Sequence, residues 1–206
     1  LSSAASDVYK RQINYVREQC SIYTRYNNAS ESKSLRRAIE SNRLVSINIA
    51  NKLKSGGELD SDLLKKSIEQ LWLDGIILVD AEGNLVCQYS KDSSLFAKMK
   101  PYIDKKTVLD SANRDERVYA QRISRNDGSY IDMAASSMKD VPGVVVTYDY
   151  TPAIFANDYN LTIQSLLNGY QKLSNGIIIV ADKGVIVASN DTNLIGQSTV
   201  DQQVLQ

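Results

Sequence analysis

The chain has 206 residues, with 24 Lys and Arg balanced by 24 Asp and Glu, and no histidine. That length allows one or two domains with a sizeable core, and zero net charge leaves no cation excess to displace counterions from a phosphate backbone, which argues against nucleic-acid binding. The lack of histidine excludes Ser-His-Asp and Cys-His triads, His-ligated zinc or haem and histidine general bases, and the two cysteines, Cys20 and Cys87, make neither a disulfide framework nor a zinc knuckle.

The chain opens on Leu1 rather than Met and stops inside what reads as an unfinished unit, so it is expected to be a fragment of a longer protein. No run approaches the roughly 18–20 apolar residues of a membrane span, and no signal peptide is visible. Both observations are compatible with a segment taken from between two spans.

From Ile13 the pattern is helical. Ile13, Val16, Cys20 and Tyr23 recur at spacings of three and four. After a polar patch at Asn27 to Ser34 the stripe resumes with Leu35, Ile39, Val45, Ile49 and Leu53, and Gly56-Gly57 supply the left-handed conformations that end a helix. Two readings stand: a two-helix hairpin broken near Asn27-Asn28, or a single stalk helix of about 40 residues and about 60 Å. Asp60 then caps a short helix with Leu63, Leu64, Ile68 and Leu71 on its apolar face. Trp72, just before the next strand, reads as a core plug.

The period now changes. Gly75 to Asp80 reads as a buried strand, Ala81 to Asn84 as a turn and Leu85 to Tyr89 as the returning strand. Leu95, Phe96 and Met99 suggest a helix closed by Pro101. Val118 to Ser124 and Ser129 to Ser136 form a hairpin through Arg125-Asn126-Asp127-Gly128, and Val144 to Tyr148 follow Pro142-Gly143. The expected fold class is therefore α+β, a five-stranded antiparallel sheet with helices on one face. Thr151-Pro152 starts another helix, with Phe155, Tyr159, Leu166, Tyr170 and Leu173 as its stripe and Asn175-Gly176 as its stop.

Gly176-Ile177-Ile178-Ile179-Val180, with its turn glycine at Gly184, restates Gly75-Ile76-Ile77-Leu78-Val79, with its turn glycine at Gly83. Four apolar residues in a row predict a strand covered on both faces in each copy.

The long helix, Gly-Ile-Ile-Leu-Val-Asp with Gly83, the second Gly-Ile-Ile-Ile-Val with Gly184 and Ala188-Ser189-Asn190, and the exit Asn193-Leu194-Ile195-Gly196 together resemble a double Cache sensor domain. The resemblance implies two PAS-like units on one helix outside a bacterial membrane. Mapped here, residues 13–57 are the stalk, 58–150 the first, membrane-distal unit, 151–174 a connecting helix and 175–206 the start of a truncated, membrane-proximal unit. It implies an extracytoplasmic ligand-sensing segment of a membrane-anchored signalling protein, with a sensor histidine kinase as first choice of output. Cyclic-di-GMP cyclases and chemoreceptors are the alternatives within the family. The family's amino-acid-binding subset carries an Arg-x-Trp-Tyr run. The corresponding stretch, Thr107 to Tyr119, has Arg114, Arg117 and Tyr119 but no Trp. An aspartate expected after the last strand of the first unit would be Asp149.

Candidate ligand-binding residues are Arg122, Tyr130, Asp132, Tyr148, Asp149 and Tyr150: a guanidinium for a carboxylate, carboxylates for an ammonium or hydroxyl. The other reading makes the tyrosines sheet formers and the charges a solvated face. Asp80, Glu82 and Asp182 read as turn residues, and no spacing suggests a metal, a cofactor or a catalytic constellation. The helical stripe motivates a homodimer through the N-terminal helix, with an unidentified small molecule as the other partner. The rival class is a structural or protein-interaction module without a small-molecule pocket.

Overall fold

With no proline or glycine before Gly56, the N-terminal segment is free to stay helical, and in the computed structural model α1 runs Ser3–Lys54. The helix passes through Asn27-Asn28 without a break, which excludes the two-helix hairpin. It ends in a Schellman motif: Gly56 N–H donates to the Leu53 carbonyl and Gly57 N–H to that of Lys52, with Gly56 at φ +74°. The structure describes residues 3–114, 116–159, 163–168 and 176–201. Tyr170, Leu173 and Asn175 of the expected connecting helix lie outside them.

The chain forms two compact units, one drawn from residues up to Ala29 and from Asn157 onward, the other from Ser30–Ala156.

In the Ser30–Ala156 unit, α2 (Ser61–Leu71) begins at Asp60, whose carboxylate accepts from Leu63 N–H at 2.9 Å. It ends at Trp72 in the left-handed region (φ 59°). That cap geometry turns the indole outward, 79% exposed, and gives the core position to Leu73; Trp72 is not the expected plug. Strands β1 (Gly75–Val79), β2 (Leu85–Ser90), β3 (Val118–Ser124), β4 (Tyr130–Ser137) and β5 (Val144–Thr151) form one antiparallel sheet in the order β2-β1-β5-β4-β3. The fold is α+β, a five-stranded antiparallel sheet with flanking helices, as expected.

Helices cover both faces of this sheet, not one. Alternate residues of the strands divide between two cores. Ile76, Leu78 and Val145 pack under Val45 and Ile49 of α1 and Leu64 and Ile68 of α2. Ile77, Val79, Met133, Val146 and Tyr148 pack under α3 (Ser93–Ile103) and α4 (Lys106–Leu109) through Leu95, Met99, Ile103 and Val108. Every residue of β1 is buried, as its unbroken apolar run requires.

Three local expectations change. Helix α3 continues through Pro101 to Ile103; a proline so near the C-terminus costs one hydrogen bond of the last turn and does not stop it. Strand β5 extends to Thr151, because β4 pairs it out to Tyr130↔Thr151 after the apolar run has ended. Asp149 and Tyr150 therefore lie on the strand, not beyond it. Thr151 is likewise its last residue, and the Pro152 carbonyl accepts from Ala156 to start α5 (Ala153–Tyr159).

In the other unit, α6 (Ile163–Asn168) and a two-stranded sheet of β6 (Ile179–Asp182) and β7 (Val185–Ser189) close on a small core of Val16, Leu167 and Ala188. Gly83 and Gly184 both take positive φ, so the two turn glycines are used alike. The strands they join differ. The second begins at Ile179, leaving Ile177 half exposed, and is not covered on both faces. The exit segment folds back along β7, with Gly196 N–H on the Ile186 carbonyl and Ile186 N–H on that of Gln197.

Within α1, Val16 and Ile49 are interior to the chain at 6% and 1% exposure, so the predicted stripe serves the chain's own cores. Ile13, the first residue of that stripe, is the exception: α1 leaves it exposed, along with Tyr15, Ile22, Tyr26, Leu44 and Ile47, which lie off the stripe.

Candidate functional site

The six candidate residues divide between the two faces of the sheet. The α1 face carries a cross-strand row in which Arg122 pairs with Asp132 and Asp132 with Asp149. Arg122 grips Asp132 with two prongs, Nε to Oδ1 at 2.7 Å and Nη2 to Oδ2 at 2.8 Å, and Ser34 Oγ of α1 donates to the same Oδ2 at 2.7 Å. Tyr130 lies flat under the guanidinium, its ring centre 3.8 Å from Cζ. Burial works against the Arg122 charge, and the Asp132 carboxylate more than restores it, so its pKa stands above the ordinary arginine value. With both side chains at 10% exposure or less, the pair is a closed structural bond.

Asp149 is differently placed. Burial pushes its pKa up to about 6 against the pull of Arg37, whose Nη2 is 3.9 Å from Oδ2. Its Oδ1 is buried without a hydrogen-bond partner.

Further along the same seam, Asn42 of α1 donates from one amide nitrogen toward the carbonyls of Ala134 and Val145 and toward Thr147 Oγ1, each at 3.1 Å. Ser46 Oγ donates to the Ser137 carbonyl at 3.2 Å. The sequence did carry a signal for these polar anchors: Ser34, Asn42 and Ser46 fall in the stripe occupied by Ala38, Val45 and Ile49, where a solvated residue has no place.

Tyr148 and Tyr150 point to the opposite face. Tyr148 is buried and donates its hydroxyl to Ser90 Oγ at 2.9 Å, with burial raising its pKa. Tyr150 edges the core beneath Lys98, whose Nζ is 5.7 Å from the ring centre. Beside it opens a groove of about 460 Å³ between α3 (Ala97, Lys98, Pro101, Tyr102) and the β3–β4 hairpin (Ser124 to Asp127), with Ile131 on its floor. Its size suits a small molecule. Asp127 in its wall is engaged by Ser129 N–H at 3.0 Å and by Arg125 Nη2 at 3.8 Å, and the other polar groups of the lining are Lys98, Tyr102, Ser124, Asn126 and Arg125, whose Nη1 is buried without a hydrogen-bond partner. Composition alone could not pick out Lys98 and Arg125, because only the closure of α3 over the hairpin brings them together.

Arg114 and Arg117 are exposed and do not join this groove, whereas Tyr119 is packed at the edge of its core. Asp80 is a turn residue: Oδ1 accepts from Glu82 and Asn84 N–H, and the hydrogen bonds from Asn84 hold its pKa below the usual carboxylate value. Cys20 and Cys87 are free thiols, both raised by burial. Among the described residues no group of three or more acidic or cysteine side chains is placed to hold a metal, and no helix is long and apolar enough to cross a membrane.

Fold and groove together define an α+β module with a small-molecule-sized cleft on the sheet face away from α1. No family model matches the sequence, and no curated protein matches it. Among solved structures the chain is similar to an extracellular ligand-binding receptor from Desulfohalobium retbaense (11% identity over 89% of this chain and 33% of that one, TM-score 0.39). It is also similar to the sensor domain of the histidine kinase DctB from V. cholerae (14%, 92% and 71%, TM-score 0.41). A third is the ligand-binding domain of the amino-acid chemoreceptor PctC from Pseudomonas aeruginosa, solved with GABA (15%, 88% and 78%, TM-score 0.37). The chain spans about a third of the length of the first. At 11–15% identity none of these lends a residue role to this chain.

Proposed function

We propose that this chain is the ligand-sensing segment, outside the cytoplasmic membrane, of a membrane-anchored signalling protein of the double Cache type. A sensor histidine kinase is the preferred output, and a cyclic-di-GMP cyclase or chemoreceptor the alternative. The segment binds a small molecule and performs no chemistry. Its occupant lies in the groove between α3 and the β3–β4 hairpin, and α1 carries the response.

The observation that supports this reading is the Asn42 bridge. Strands β4 and β5 present Ile131 and Tyr150 at or beside the groove on one face, and on the other they accept from the single Asn42 amide of α1. A ligand that shifts these strands shifts the acceptors that position the helix, so binding energy has a route to a two-state movement of α1. We place the homodimer contact on the exposed side of α1 that carries Tyr15, Ile22 and Tyr26.

A thermal-shift screen of amines, organic acids and sugars tests the reading, because a specific ligand raises the melting temperature by mass action. A hit whose shift disappears in Lys98→Glu supports the groove as the site. No hit across a broad library favours the rival module that recognises another protein, to which the outward-facing Trp72 would then belong.

A further inference from the structure

We propose that Asp149 is a proton-operated latch between β5 and α1: ionised, it draws the Arg37 guanidinium onto the sheet, and protonated, it releases that guanidinium to solvent. The inference concerns the helix–sheet seam and stands whether or not the groove binds a ligand.

Three carboxylates meet at this end of the sheet, and two of them each hold both a cation and a further hydrogen-bond donor. Asp132, opposite Asp149 in the β4–β5 register, is clamped by Arg122 of β3 and by Ser34 of α1. Asp74, just before β1, has Oδ1 3.6 Å from Lys91 Nζ, and its Oδ2 accepts from the Tyr150 N–H at 2.8 Å. Asp149 is the one left over. It has a buried oxygen without a hydrogen bond and, at 3.9 Å, only a loose ion pair to an Arg37 that is 66% exposed. A side chain that solvated keeps the freedom to leave.

The charged groups bearing on Asp149 come from every surrounding element. Arg37 of α1 and Lys91 after β2 favour its ionised form, whereas Asp74 and Asp132 of β4 oppose it; Arg122 of β3 is paired with Asp132, and Glu31 of α1 favours the Arg122 charge. Burial outweighs the two cations, and the resulting pKa of about 6 puts the change of charge within a range that natural waters and host compartments cross. The partner that responds is on α1, the same element that Asn42 ties to β4 and β5.

An NMR titration of the 206-residue chain tests the latch. The Asp149 carboxyl carbon and the Arg37 Nε–Hε pair are expected to move together with a shared midpoint near 6. In Asp149→Asn the Arg37 step is expected to vanish. In Arg37→Gln, a surface change that leaves the core untouched, the Asp149 midpoint is expected to rise, because the stronger of the two favourable cations is gone. An Asp149 midpoint in the ordinary range of about 4 would overturn the proposal, as would an Arg37 signal that stays flat while Asp149 titrates. A flat Arg37 alongside a specific ligand-induced rise in melting temperature would sink the latch and leave the sensor reading intact.

Discussion

Arg122 and Asp132 stand directly opposite each other on β3 and β4 and close a two-pronged ion pair at 2.7 and 2.8 Å, almost wholly out of water. Both oxygens of the carboxylate are taken, one of them also by Ser34. A ligand carboxylate could reach this guanidinium only by displacing Asp132, so the pair is a structural bond on the α1 face. Removing one partner strands a buried charge. Asp132→Ala is expected to cost about 3–5 kcal/mol, and the double change Arg122→Met/Asp132→Leu to recover most of that, both read from urea unfolding. A single-variant loss below about 1 kcal/mol, the level of an exposed pair, would show that the bond carries no such burden.

Asn42 gives a second, independent reading of the helix–sheet seam. Its amide nitrogen serves three acceptors while its Oδ1 is buried without a partner. Asn42→Ala takes a donor from two carbonyls and a hydroxyl, and is expected to destabilise the chain by about 2 kcal/mol. Asn42→Asp should cost more, since it sets a carboxylate against those same carbonyls. Equal effects from the two variants would mean that the site loses only volume, and the proposed route from groove to helix would lose its anchor.

Most of the architecture was legible because the apolar patterns are local. The β1 run, the Asp60 cap, the Arg125–Gly128 turn and the Gly56-Gly57 stop each encode their element within a few residues. The candidate site was legible only in part, since strand parity decides which face a side chain joins. Asp132 and Tyr148 look like neighbours in a list of strand residues, yet the β4–β5 register sends one to α1 and the other to α3. The end of β5 was missed for a related reason: Thr147 to Thr151 alternates, but its tyrosines are core residues and its aspartate is half of a helix contact, so hydropathy shows no strand there. Trp72 misled because a large aromatic beside a strand is ordinarily interior, and nothing in composition announces a left-handed cap.

Gly75 shows how tightly that face is filled. A methyl group there would run into the ring of Tyr148, which is buried and held by Ser90 Oγ. Gly75→Ala is expected to destabilise by about 1–3 kcal/mol through overpacking. Adding Tyr148→Leu, which removes the ring, should recover part of the loss, with the coupling measured by a double-mutant cycle. Strictly additive effects would mean that the glycine is required for its backbone and not for the ring above it.

The sign of the pH dependence at Asp149 follows from its surroundings. A carboxyl whose pKa is raised on folding binds its proton more tightly in the native chain than in the unfolded one. Stability from this group is therefore greatest below the ordinary carboxylate pKa of about 4, falls as the pH rises toward about 6, and stays at the lower level above that. A shift of about two units corresponds to about 2–3 kcal/mol, since the side chain is 22% exposed and partly screened. Asp149→Asn keeps the shape and removes the charge. It should flatten stability over this window, match the wild type near pH 4 and exceed it by about 2–3 kcal/mol at pH 7.5, as read from urea midpoints at the two pH values. A loss of stability in Asp149→Asn at pH 7.5 would mean that the Arg37 ion pair outweighs the cost of burying the carboxylate, and the direction of the titration would have to reverse.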